Sequence, residues 1–205
     1  VTEDDYIALE RRSDVKHAFQ RGIVWAMVGA SPRHNAIAAN TIGALGVALR
    51  GGPCVGLGSA QRVHVEATGL YTYPDVTVVC DEPRFHPKYP DTLLNPRLLV
   101  EVLSPSTEAY DRTTKFDNYR TIRSFEEYVL VYQDEKRVLH YRRIETGQWI
   151  LTEAVGEEAS VALPGLGCSL RLADLYAGVE RFAPEVAAAP GSGPVGSRGS
   201  SSSAP

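Results

Sequence analysis

Leu98-Leu99-Val100-Glu101-Val102-Leu103 is apolar on both of its alternating faces apart from one acid. A run of this kind reads as a central strand covered on both sides, so the sheet it belongs to has layers above and below it. An ionised carboxylate in that setting is costly unless a cation meets it, and Glu101 therefore predicts a buried partner. Downstream, a helix is expected over Asp111 to Ile122, followed by a second apolar strand over Glu127 to Tyr132. Strand, helix, strand in that order implies at least one parallel pairing.

The helix carries a second anomaly. At 100° per residue, Phe116, Tyr119 and Ile122 fall at about 100°, 40° and −20° from Lys115, so the lysine lies inside the apolar stripe that faces the sheet. It must meet an anion there. A third anomaly is Pro74-Asp75, which opens Val76-Thr77-Val78-Val79. By alternation Asp75 shares a face with Thr77 and Val79, as Glu101 does with Leu99 and Leu103, so adjacent strands would bring the two carboxylates together. Asp75, Glu101 and Lys115 form a coherent set: two acids suited to a hard divalent ion, and an ammonium suited to a phosphate or to a metal-bound water. Each also has a plainer reading, Asp75 as a solvated turn acid, Glu101 as a partner of Arg97 or Arg120, and Lys115 as a side chain snorkelling to water.

Around this centre the remaining elements follow from local signals. Thr2 with Asp5 three positions on reads as a helix start. Ala18-Phe19 and Ile23 to Val28 read as two strands about the Gln20-Arg21-Gly22 turn. Ser31-Pro32 and Gly51-Gly52 bound a helix from about Pro32 to Arg50 with Ala38, Ile42, Leu45 and Leu49 on one face. Gly43 and Gly46 inside it each cost about 1 kcal/mol relative to alanine, which predicts close packing against them. Short strands are expected at Cys54 to Leu57, Arg62 to Glu66 and Tyr73 to Cys80, and a hairpin at Arg137 to Ile144 with Trp149 to Glu153. The class is α/β with a central mixed sheet flanked by helices.

Composition narrows the rest. The chain has 205 residues, 43% hydrophobic and 22% charged, with a formal net charge of −4. One domain is expected over residues 1–182, followed by a disordered tail over 183–205 rich in Pro, Gly, Ser and Ala. No apolar run approaches the roughly 18 residues of a membrane span. The opening Val1-Thr2-Glu3-Asp4-Asp5 is the opposite of a basic signal-peptide start, and a cytoplasmic chain is the expectation. The three cysteines, Cys54, Cys80 and Cys168, are read as separate small core residues. The negative charge argues against nucleic-acid binding by bulk positive potential but leaves a local cleft open. Arg84, His86, Lys88 and Arg97 form at most a loose basic rim beside that cleft, and such a rim is more often just a solvated face. Gly56-Leu57-Gly58 lacks the third glycine of a dinucleotide fingerprint, no hydrolase elbow or phosphate-loop lysine occurs, and the histidines lack zinc spacing.

The runs Tyr73-Pro74-Asp75-Val76-Thr77-Val78-Val79-Cys80, Leu99 to Thr107 and Asp111 to Arg120 closely resemble the Uma family of restriction-endonuclease-like proteins, within the PD-(D/E)XK nuclease superfamily. Lys16-His17, Gly22, Ala26-Met27, Gly29-Ala30-Ser31-Pro32-Arg33-His34-Asn35 and Leu163-Pro164-Gly165-Leu166 extend the likeness. The resemblance implies a restriction-endonuclease-like core and a metal-dependent phosphodiesterase, with Asp75 and Glu101 as the metal-binding acids and Mg²⁺, or Mn²⁺, as the cofactor. The superfamily lysine, usually two residues after the second acid, would be the migrated version at Lys115, since Leu103 holds the usual place. Where the family pattern around the first hairpin has two glutamates, this chain has Ala18 and Ile23. His34 matches the family as either a substrate contact or a helix cap.

The expected function is thus a metal-dependent endonuclease acting on nucleic acid, with DNA as the expected substrate by family analogy. The alternative, motivated by Ala18 and Ile23, is a catalytically impaired nuclease-like module that binds nucleic acid or a protein partner. A third reading is a metal-dependent hydrolase of another phosphoester. A homodimer is the simplest way to cut both strands of a duplex with one site per chain.

Overall fold

The chain begins as its first residues dictate: Asp5 donates its backbone N–H to the Thr2 hydroxyl at 3.1 Å and accepts the Thr2 N–H at 2.9 Å, starting helix α1 (Glu3–Glu10). The computed structural model describes residues 1–27 and 29–184. Strands β1 (His17–Gln20) and β2 (Ile23–Ala26) form a hairpin whose two turn residues, Arg21 and Gly22, both have positive φ, at 48° and 88°. That is the turn whose twist matches a tight hairpin. Val28, the expected end of the second strand, lies outside the described residues, as do residues 185–205 of the expected tail.

Helix α2 (Pro32–Ala48) starts where Ser31 accepts the His34 N–H at 3.1 Å. It buries Ile37, Thr41 and Leu45, with Leu49 just beyond its end, so the face is the expected one turned slightly. The expectation for its glycines is corrected. Gly43 and Gly46 are exposed, and a Cβ built on either meets nothing within 4 Å. On β3 (Cys54–Gly58), a Cβ built on Gly56 or Gly58 would meet Ile42 only at ordinary van der Waals distance, 3.8 and 3.6 Å.

After β4 (Arg62–Val65), the strand expected from Tyr73 to Cys80 starts three residues later, at Val76, and a further short strand, not expected, precedes it. Leu70–Thr72 is β5 of a five-stranded sheet, Val76–Cys80 is β6 of a six-stranded sheet, and residues 73–75 carry the chain from one to the other. Pro74 has no N–H to offer a ladder, which suits it to this crossing. Then come β7 (Thr92–Leu93) and the central strand β8 (Leu98–Leu103), buried at all its residues. The helical segment that follows is α3 (Glu108–Tyr110), a π turn (Asp111–Lys115) and α4 (Phe116–Tyr119). It returns the chain to β9 (Glu127–Tyr132), parallel to β8 as the order of elements required. The expected hairpin is β10 (Arg137–Arg143) and β11 (Trp149–Val155), and β12 (Ser160–Leu163) pairs with β13 (Cys168–Arg171) before α5 (Leu172–Leu175).

The sheets run β11-β10-β9-β8-β6-β3 and β2-β1-β5-β4-β7. Alternation along β8 and β9 divides the interior. Val100, Val102, Val129 and Val131 pack with α2, β12, β13 and α5, while Leu99, Leu103, Tyr128 and Leu130 pack with Tyr119 and with Val63, Val65 and Leu70 of the second sheet. The protein is therefore mixed α/β, its central sheet covered on both faces. Among the described residues no helix is long and apolar enough to cross a membrane.

The cysteine reading is also corrected: Cys54 and Cys80 form a disulfide, their Cα atoms 3.9 Å apart as facing partners of β3 and β6. Two residues 26 apart in sequence carry no sign of this. Antiparallel register alone brings them together. Cys168 is unpaired and half-buried.

Candidate active site

Asp75 sits at the end of the crossing segment, where its carboxylate continues a ladder that the backbone has abandoned. The pairing of β6 with β8 ends at Val76 opposite Val100, and the next inward N–H, that of Val102, donates to Asp75 Oδ2 at 2.7 Å. His34, in the first turn of α2, brings Nε2 to the same oxygen at 3.1 Å. One residue before Val102, Glu101 points to the opposite face of β8, the face of Leu99 and Leu103.

Glu101 is 4% exposed, and its Oε1 accepts from Lys115 Nζ at 2.8 Å and from the Tyr119 hydroxyl at 2.9 Å. Lys115 also reaches Asp111 Oδ1 at 3.1 Å. The buried lysine thus has the anion its place on the helix demanded, and a second one besides. Neither Arg97 nor Arg120 is the partner of Glu101: Arg97 pairs with Glu126 at 2.8 Å and Arg120 with Asp117 at 3.1 Å.

The electrostatics are those of a crowded set of acids. Burial pushes the Glu101 carboxyl up to about 8, opposed by the Lys115 ammonium and reinforced by Asp111 and Asp75. For Lys115, burial is the largest influence and favours the neutral amine, but Glu101 and Asp111 together outweigh it and hold the group above the ordinary lysine value. Lys115 is thus a fixed cation in a cluster with three acids, Asp75, Glu101 and Asp111.

The described contacts of Asp75 fall on Oδ2 and those of Glu101 on Oε1. That leaves Oδ1 and Oε2 as hard donors for a divalent cation, which suits an ion that keeps several waters and uses one or two carboxylates. Among the described residues no group of three or more His, Cys, Asp or Glu forms a ready-made cage. Two carboxylates fit Mg²⁺ or Mn²⁺ on donor chemistry.

Asp75, His34, Glu101, Asp111 and Lys115 line one cleft of about 250 Å³, whose walls include Trp25, the Ser104, Ser106 and Thr107 hydroxyl loop, and Ala18. Of the two positions where the family pattern carries an acid, Ala18 therefore belongs to the cleft, whereas Ile23 is 67% exposed at the start of β2. Of the four residues of the basic rim, none lines the cleft, as the solvated-face reading has it. Lys88 pairs with Asp4 at 2.6 Å, His86 stacks on Tyr89, Arg97 is held by Glu126, and Arg84 lines a separate groove with Glu66 and Arg123. β6 runs away from Asp75, so residues after Cys80 emerge at its far end.

Asp111 is not among the candidates read from the sequence, although an acid four residues before a buried lysine on one helix is a readable signal. Its position is set by the π turn from Asp111 to Lys115, a local widening of the helix of the kind that recurs at functional sites. The His34 contact with Asp75 had no such signal, being made between a helix start and a sheet crossing.

The geometry can be set beside known proteins. Residues 3–173 match the model of the Uma2 family, described as "Putative restriction endonuclease". This chain belongs to the Uma2 family. Two relatives from Synechocystis sp. are the uncharacterized protein sll1609, 34% identical over 161 residues covering 78% of this chain and 91% of the relative, and the uncharacterized protein slr1290, 32% identical over 179 residues covering 87% and 93%. A solved structure from Anabaena variabilis, described as "a putative nuclease belonging to DUF820", superposes with a TM-score of 0.70 at 17% identity, over 87% of this chain and 99% of that one. At that identity the likeness is one of fold, and it agrees with the restriction-endonuclease-like core expected of a Uma2 chain.

Proposed function

We propose that this Uma2 chain is a metal-dependent endonuclease that hydrolyses phosphodiester bonds of nucleic acid, with DNA as its substrate. The observation that carries the reading is the meeting, in one cleft, of Asp75, Glu101 and the buried Lys115 ammonium. Asp75 Oδ1 and Glu101 Oε2 would hold Mg²⁺ or Mn²⁺. When bound, that ion supplies Lewis acidity and lowers the pKa of water. Lys115, held by Glu101 and Asp111, keeps a fixed positive charge facing the cleft, where it offsets charge on a scissile phosphate and donates to an attacking water. Tyr119 fixes Glu101 Oε1 so that the other oxygen is presented rather than free to rotate. As parts of the same proposal, residues 1–182 act as one domain, the enzyme works as a homodimer, and it resides in the cytoplasm.

A second reading, a nuclease-like module that binds nucleic acid or a protein partner without cutting, is favoured by Ala18, which puts a methyl group in the cleft where the family resemblance places a carboxylate. Calorimetric titration of the wild type and Glu101→Ala with Mg²⁺ and Mn²⁺, followed by incubation with plasmid DNA, separates the two. Metal binding lost in the variant together with nicking by the wild type supports the enzyme. Cleavage that survives both Asp75→Ala and Glu101→Ala overturns the site, and salt-sensitive DNA binding without cleavage under either ion favours the module.

A further inference from the structure

We infer that His34 is a positioning residue for the metal-binding carboxylate of Asp75, an inference that rests on the two-carboxylate metal site proposed above. Asp75 Oδ2 receives the Val102 N–H at 2.7 Å from one side and His34 Nε2 at 3.1 Å from another. Two donors converging on one oxygen remove the rotation that would exchange it with Oδ1. Oδ1 is then the donor left for a cation, and Asp75 binds through that oxygen alone.

The two donors are not equivalent. Val102 N–H belongs to the central strand and fixes where the carboxylate sits, whereas His34 comes from α2, a separate element. His34 is itself anchored: its backbone N–H is held by the Ser31 hydroxyl at 3.1 Å, and Ser31 in turn donates to Gln133 at 2.9 Å just after β9. The ring is mostly buried, its side chain 13% exposed against 16% for Asp75, so the contact is shielded from competing water. The arrangement parallels that on the second acid, where Lys115 and Tyr119 both engage Glu101 Oε1. Each candidate ligand thus has one oxygen fastened by two protein donors, and the other is left for the ion. Donors of this kind, one bond removed from a metal, characteristically set ligand orientation, and their loss weakens metal binding by about 10- to 100-fold.

The test compares the wild type with His34→Ala and His34→Gln, whose amide can still donate toward Asp75. Mg²⁺ and Mn²⁺ dissociation constants are measured by calorimetry, thermal unfolding is measured without metal, and plasmid cleavage is followed across Mg²⁺ concentration. The expected result is metal affinity weakened about 10- to 100-fold in His34→Ala and recovered to within about threefold in His34→Gln. The Mg²⁺ needed for half-maximal cleavage should rise in parallel while kcat at saturating Mg²⁺ changes less. If His34→Ala lowers the unfolding temperature yet binds metal as tightly as the wild type, His34 is structural and the inference is overturned, with the nuclease reading intact. Metal binding that follows the expected pattern in a protein that cuts no nucleic acid upholds the inference and overturns the nuclease reading. A wild type that binds neither ion overturns both.

Discussion

Glu101 and Glu127 lie on neighbouring parallel strands and are buried to similar degrees, at 4% and 0% exposure, but they face opposite sides of the sheet. Burial raises both, to about 8 and about 7. Their surroundings are unlike. Glu101 opens on a cleft with a second carboxylate and a buried ammonium. Glu127 faces the core side of Val129 and Val131, where Oε1 accepts the Gly165 N–H at 2.9 Å and Oε2 has no hydrogen-bond partner among the described residues. His140 Nε2 stands 3.8 Å from Glu127 Oε1, within ion-pair reach, but burial pushes the imidazole down to about 4 as it pushes the carboxyl up, so between those values both are neutral. A buried acid is therefore not in itself a functional signal. What separates the two is access to a cleft shared with a second acid and a buried ammonium.

The largest contrast between the two acids is expected when each is neutralised at constant shape. Glu101→Gln should lower Mg²⁺-dependent plasmid cleavage by at least about a hundredfold, whereas Glu127→Gln should leave it unchanged. Equal losses in a cleavage assay would mean that both acids serve the reaction. Removing the partners comes next. Lys115→Met strands Glu101 and Asp111 without a cation and should cost about 3–5 kcal/mol in urea unfolding, while His140→Phe, which removes a neutral ring of similar volume, should cost about 1 kcal/mol. If the two variants unfold at the same urea concentration, Lys115 is not the electrostatic keystone of its cluster.

The pH dependence of stability sharpens the Glu127 side. Its folded value is above the ordinary 4.5, so folding favours the protonated form. The stabilisation is full below pH 4.5 and is lost as pH rises through about 7, amounting to about 3 kcal/mol. Glu127→Gln should abolish that loss when urea unfolding is repeated from pH 4.5 to 8. His140 has the opposite sign, its stabilisation being present above 6.5 and lost as pH falls through about 4, so His140→Phe should instead flatten the acid side. The smallest effect is expected of Gly165→Ala, whose Cβ would lie 3.3 Å from Glu127 Oε1 and 3.1 Å from Glu126 Oε2. A cost of about 1 kcal/mol with unchanged cleavage is expected, and a loss of cleavage would tie the Glu127 side to the reaction.

Glu101 and Lys115 were legible because each is a charge set in an apolar pattern, strand alternation for one and a helical stripe for the other. Glu127 was not, since an acid at a strand start reads as solvated until β12, β13 and the Gly165 turn are seen to cover it. Asp111 was legible in principle from its spacing to Lys115. The order of elements gave the parallel β8 and β9 pair, but the crossing from β5 to β6 at residues 73–75 was hidden because the strand-like pattern reads on through Tyr73-Pro74-Asp75.

Local pattern, then, determined the elements, the covered central strand, and the demand that Glu101 and Lys115 each find a partner of opposite charge, because periodicity and the cost of burying charge act within a few residues. Tertiary structure alone decided which partners those would be. The Cys54–Cys80 bond, the approach of His34 to Asp75, the place of Ala18 in the cleft and the distance of the Arg84 to Arg97 loop from it all depend on strand register and on where the chain crosses between sheets. Register is settled by side chains far apart in sequence packing together, and that information is carried by no single stretch of the chain.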